Sequence, residues 1–157
     1  MKKLLFISIV FIFFSCEDEL SNKIPAFEAT INGNFDWVAD SYVATLQNNQ
    51  LSITGTSPFG TIAMQIDSLE LGSYNLYSWT DDFAIFQDTL QYSTQNDGVN
   101  SIAYLSDGLI DINEIDNINN TVSGHFHFDA YNGTGEYTIN LSEGVFYKIP
   151  ITSDSQD

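Results

Sequence analysis

Apolar and polar residues alternate along most of the chain in short runs, separated by Gly, Asn, Asp and Pro. A period of two places alternate side chains on opposite faces of a strand, so these runs predict strands with one buried face. Phe27–Ile31 alternates up to Asn32-Gly33, a pair suited to a turn with positive φ, and Phe35 and Trp37 continue beyond it. Tyr42–Leu46 and Leu51–Thr56 flank the polar stretch Gln47–Gln50 as a hairpin. Pro58-Phe59-Gly60 turns into Thr61–Ile66, which sets Ile62, Met64 and Ile66 on one face. Gly72 precedes Tyr74–Tyr77, and a less regular stretch holds strands at Phe83–Gln87 and Thr89–Ser93 before a turn at Asn96-Asp97-Gly98.

The last third is the most regular. Ser101–Ser106 leads through a turn at Asp107-Gly108 into Leu109–Asn113, with Ile110 and Ile112 on one face. After Asn117–Asn120, a strand over Val122–Ala130 turns Phe126 and Phe128 inward. Asn132–Gly135 then turns into Tyr137–Leu141, and Glu143-Gly144 turns into Val145–Ile149. About ten strands with short connections predict an all-β fold, an antiparallel β-sandwich or flattened β-barrel. No sustained i, i+3, i+4 pattern predicts a helix.

The N-terminus departs from this alternation. Lys2-Lys3 precede an apolar run from Leu4 to Phe14, broken only by Ser8 and followed by Ser15 and Cys16. The run is too short to span a bilayer, which needs about 20 residues, but has the length of a signal-peptide core. Phe13-Phe14-Ser15-Cys16 resembles the lipobox of bacterial lipoproteins, with Phe where Leu and a small residue are commoner, in the relaxed form seen in Bacteroidota. That resemblance implies acylation of Cys16 and anchoring to a lipid bilayer, against the alternatives of an ordinary secretory signal or a membrane anchor. Glu17-Asp18-Glu19 is similar to the acidic export signal of surface lipoproteins, and its plainer reading is a solvated tether. The chain divides into a signal segment (1–15), Cys16 with an acidic tether (16–25), one β domain (26–152) and a polar tail (153–157).

Charge narrows the partners. The 157 residues carry 21 acidic and 4 basic side chains, with a formal net charge of −17. Loss of Lys2 and Lys3 with the signal takes this to about −19. Such a surface repels polyanions, which excludes nucleic acid and direct binding to anionic headgroups. Cys16 is the sole cysteine, so no disulfide staples the fold.

The order Phe27-x-Ala29-x-Ile31-x-Gly33-x-x-x-Trp37, then Gly72-x-Tyr74-x-Leu76, Gly108-x-Ile110-x-Ile112, Val122-Ser123-Gly124-His125-Phe126-His127-Phe128 and Gly144-Val145-Phe146 resembles an uncharacterised family of Bacteroidota lipoproteins, domain of unknown function 6252. The resemblance spans nearly the whole chain after the signal. It implies a β-rich fold and an outer-membrane address, and it implies no active site.

Candidate chemistry is sparse. His125 and His127 share the strand face opposite Phe126 and Phe128, where two imidazoles can chelate one metal. Asp129 shares that face but lies roughly 13 Å from His125, too far to complete the set. Asp111, Asn113 and Asp116 offer hard oxygen ligands suited to calcium, without the order of an EF-hand loop. Trp79, in the irregular Ser78–Asp82 segment, is a candidate stacking surface for a sugar ring, whereas Trp37 belongs in the core. No nucleophile motif or selected carboxylate pair points to an enzyme. The expectation is a non-catalytic, surface-exposed binding or interaction module for a glycan, a small apolar ligand or a protein. A β-barrel-like carrier of apolar ligands and a calcium-stabilised carbohydrate-binding module are the alternatives.

Overall fold

A computed structural model of the protein describes residues 26–99 and 104–153. The predicted signal segment, Cys16, Glu17, Asp18, Glu19 and the rest of the tether lie outside the described residues. Eleven strands and no helix occur among the described residues: β1 (Ala26–Ile31), β2 (Phe35–Val38), β3 (Ser41–Gln47), β4 (Gln50–Ser57), β5 (Gly60–Ile66), β6 (Gly72–Asn75), β7 (Phe83–Gln87), β8 (Gln91–Ser93), β9 (Asp107–Asp116), β10 (Thr121–Asn132) and β11 (Thr138–Ser153).

The strands hydrogen-bond in the order β2-β1-β11-β3-β4-β5-β7-β8-β10-β9-β6, and a further pairing of β11 with β10 closes seven of them into a ring. The result is a flattened barrel with two wings, β1–β2 on one side and β9–β6 on the other. Viewed as a sandwich, β2-β1-β11-β10-β9-β6 forms the front sheet and β3-β4-β5-β7-β8 the back sheet. The ends of two long strands make the corners. β10 reaches β8 through Tyr131 and Asn132, and β11 reaches β3 through Ile151–Ser153. The second corner is parallel, the one departure from the antiparallel arrangement predicted.

Burial follows the alternation. β4 buries Leu51 and Ile53, β5 buries Ile62, Met64 and Ile66, and β10 buries Phe126 and Phe128. Trp37 and Phe27 meet edge to face at 5.4 Å, and Phe27 meets Phe126 in the same way at 5.6 Å. These rings knit β2, β1 and β10 of the front sheet. A Cβ added to Gly55 of β4 would stand 2.5 Å from the Phe27 ring, so the back sheet lies directly against it. Among the described residues no buried side-chain polar atom lacks a hydrogen-bond partner.

The tight turns follow their sequence signals. Asn32 and Gly33, and likewise Asn48 and Asn49, hold positive φ between paired strands, a conformation that Asn and Gly tolerate best. Three other expected turns are corrected. Asp107-Gly108 lies inside β9, where a Cβ on Gly108 would come within 2.6 Å of the His127 carbonyl and Phe128 Cβ; this glycine permits close packing of strands instead of a reversal. Residues 104–106, which lead into β9, are irregular, and 101–103 lie outside the described residues. Glu143-Gly144 is a bulge within one continuous β11, with Glu143 at φ 51° and the register shifted against both β1 and β10. The chain turns at Thr94-Gln95, and Asn96-Asp97-Gly98 continues as an irregular segment.

Candidate functional site

The outer face of the front sheet carries the residues singled out from the sequence. β10 points His125 and His127 outward between buried Gly124, Phe126 and Phe128. Register sets the neighbours: His125 pairs with Asp111 of β9 and Val145 of β11, and Asp111 pairs with Ser73 of β6. One row of outward side chains therefore crosses four strands. The next row brings Asn75, Leu109 and His127 together.

Within the first row Ser73 Oγ donates to Asp111 Oδ1 at 2.9 Å. Asn113 Nδ2 lies 2.9 Å from His125 Nδ1. An amide nitrogen donates, so Nδ1 accepts and the neutral ring carries its proton on Nε2. Asn113 is the extra residue where the β9–β10 register shifts between Ser123 and Gly124. Two shifts on β11 complete the pattern, one at Glu143 and one at Lys148, whose φ values are both 51°. The Lys148 N–H donates to Ser123 Oγ at 3.0 Å, which partners the backbone group the bulge displaces. Bulges re-aim side chains and bend strands. Here three of them fall on the two strands that flank the histidines.

The face is grooved. A depression of about 450 Å³ is lined by Leu109, Asp111, His125, His127, Glu143 and Val145, with backbone beneath. A second, of about 420 Å³, continues from His125 and Val145 past Asn113, Ser123 and Tyr147. A third, of about 240 Å³, continues from Leu109 and His127 to Asn75 and Tyr77. Shared residues make them one open groove along β10.

Trp79 stands beyond the Tyr77 end. It is 65% exposed and stacks on Tyr77 with ring centroids 4.7 Å apart and planes 16° from parallel. The loop holding it is tied down: Thr80 N–H and Oγ both donate to the Tyr77 carbonyl, and Ser78 Oγ donates to Asp97 Oδ2 at 2.6 Å. Burial opposes ionisation of Asp97, but hydrogen bonds from Ser78 and Ser106 outweigh it and hold its carboxyl below the ordinary value. An ionised Asp97 thus braces the aromatic loop from behind.

The predicted ligands for metal are not gathered at one point. Asp116 accepts from the N–H groups of Ile118 and Asn119 and from Asn119 Nδ2, so it closes the β9–β10 hairpin. The Asn119 side chain, then the backbone N–H groups, hold its carboxyl below the ordinary range. Asn113 is engaged with His125. Among the described residues no three His, Cys, Asp or Glu side chains come close enough to hold an ion. His125, His127, Asp111 and Asn113 do share the groove, whereas Asp116 stands outside it, which splits the calcium grouping. Glu143, Val145, Leu109 and Tyr77 were missed from sequence. The inward Phe146 put Val145 outward by parity, and that signal was available.

A family model described as a domain of unknown function, DUF6252, matches residues 23–150. The chain belongs to that family. The match takes in every strand of the DUF6252 domain except the last residues of β11. It also covers the whole groove, so the outward face lies inside the family domain and outside no part of it. No curated protein and no solved structure gives a match.

Proposed function

We propose that this DUF6252 chain is a non-catalytic lipoprotein of the outer membrane, displayed at the cell surface, that binds its ligand on the outer face of β9, β10 and β11. The observation that carries the binding role is the continuous groove along β10, with Leu109 and Val145 half-buried in its floor and His125, His127, Asp111 and Glu143 along it. Its surroundings favour a surface ligand over a carried one. Trp37, Phe27, Phe86, Phe128 and Phe146 are all fully buried and fill the interior that a carrier would line with ligand. The address rests on Phe13-Phe14-Ser15-Cys16, the following Glu17-Asp18-Glu19, and the likeness to Bacteroidota lipoproteins. Two acyl chains on Cys16 are enough for stable anchoring, since each buried methylene contributes about 0.8 kcal/mol.

Binding is tested by thermal unfolding of the purified full chain against three ligand arms: neutral oligosaccharides, fatty acids, and millimolar calcium or zinc. A ligand held only by the folded state raises the midpoint by mass action. At least one arm is expected to shift it by several degrees, and Val145→Glu, which sets a charge in the groove floor, is expected to abolish the shift. A flat response in all arms would sink the binding reading. The address is tested separately: Cys16→Ala should eliminate metabolic fatty-acid labelling and release the chain from membranes. Retained label would place the acyl group elsewhere, and resistance to protease on intact cells would argue against surface display.

A further inference from the structure

We infer that the groove takes a neutral oligosaccharide, with Trp79 and Tyr77 as the stacking end and His127, His125 and Asp111 as the hydrogen-bonding track. The inference rests on the binding role proposed above and assigns its ligand class. Four observations select it. First, Tyr77 covers one face of the Trp79 indole, and the 65% exposure of Trp79 leaves the other open. A flat apolar face fixed at the surface is what the C–H face of a pyranose packs on. The hydrogen bonds from Thr80 to Tyr77 and from Ser78 to Asp97 hold the loop in place before any ligand arrives, so little ordering is lost on binding.

Second, the track beyond the aromatic pair mixes hydrogen-bond donors and acceptors. His125 presents an Nε2–H donor because Asn113 occupies Nδ1. Asp111 keeps acceptor capacity after one bond from Ser73. Leu109 and Val145, half-buried between them, supply an apolar floor. From His127 to Ser123 the groove runs about 13 Å along β10, long enough for more than one ring.

Third, charge excludes the competing small ligands. The central depression carries Asp111 and Glu143, whereas Lys148, the one lysine among the described residues, stands over Tyr147 at the far end of the groove, 5.2 Å from the ring centroid. Phosphate, sulfate and uronate groups meet repulsion there. The carboxylate of a fatty acid meets the same charge. Fourth, no trio of metal-binding side chains assembles at the groove among the described residues, so an ion is not its natural occupant.

The test uses hexasaccharides of β-glucan, α-glucan, mannan, xylan and β-linked N-acetylglucosamine, titrated calorimetrically into the full chain. At least one is expected to bind. Trp79→Ala should weaken it about tenfold or more and His127→Ala several-fold, while Trp79→Phe stays close to the parent. Trp79 and His127 are exposed, so both variants should unfold at the parental midpoint. Binding that survives both alanine variants unchanged would overturn the assignment, as would no binding by any hexasaccharide. If fatty acid or zinc shifts the melting midpoint through Val145 while the sugars do nothing, the groove is a binding site and only the sugar assignment fails. If no arm responds, both readings fail together.

Discussion

Replacing Trp37 with alanine is expected to lower the unfolding free energy by about 3–5 kcal/mol. Trp37 is wholly buried although β2 is an edge strand of four residues. Its indole reaches past Phe27 to the β4–β5 hairpin, where Nε1 donates to the Gly60 carbonyl at 3.1 Å. Gly55 makes room for it, since a Cβ there would stand 3.0 Å from Cη2 and closer still to Phe27. Truncation removes the ring, leaves a cavity between the sheets and takes one of two side-chain donors from the Gly60 carbonyl, which keeps Ser57 Oγ at 3.3 Å. Small domains hold only about 5–15 kcal/mol in total, so this one change removes a large share. Trp37→Phe separates the two contributions: it restores most of the apolar burial but not the hydrogen bond, and should cost about 1–2 kcal/mol. Urea unfolding with an unchanged slope checks both values. A loss under about 1 kcal/mol for the alanine variant would mean that the indole does not join the two sheets.

The second large effect is expected at Gly124. A Cβ built there stands 2.2 Å from the Asp111 carbonyl oxygen and 2.4 Å from Phe146 Cζ. The ring can shift a little, but the carbonyl is backbone in the neighbouring strand. Gly124→Ala should therefore cost about 2–3 kcal/mol, at the upper end for overpacking. It should also push β9 from β10 at the point where Asp111 faces His125. Ligand binding would then fall further than stability predicts. Gly133→Ala is the control, because a Cβ there meets nothing within 4 Å and the change should stay within about 0.5 kcal/mol. Equal midpoints for the two variants would refute the close approach of the strands.

The same glycines mark where sequence reasoning succeeded and where it stopped. Period-two alternation located nearly every strand, and Ile62, Met64, Ile66, Phe126 and Phe128 are buried as expected. Alternation is local, so each strand declares its own faces. Asp107-Gly108 and Glu143-Gly144 looked like turns because an acidic residue before glycine suits a reversal. Within a strand the same pair serves close packing at Gly108 and a left-handed bulge at Glu143. Only the neighbour across the ladder tells these apart, and the neighbour is set by register. The groove was half legible for the same reason. Parity put His125, His127 and Asp111 on outer faces, but their alignment with Val145 and Ser73 depends on pairings across the whole chain. The Asp116 side chain serves the hairpin backbone, a role that acidic turn residues share with calcium ligands and that spacing alone does not separate.

The place of β11 has a consequence for how the molecule comes to be folded. It pairs with β1, β10 and β3, and its corner contact joins Thr152 to Ala44, 108 residues away. Until residues 138–153 have been made, the ring is open and β1 has only β2 beside it. Closing loops of that length carries an entropic cost before the contacts repay it, so folding of such topologies is slow. The nascent chain therefore stays threadable while it is synthesised, and locks only when its last strand is seated.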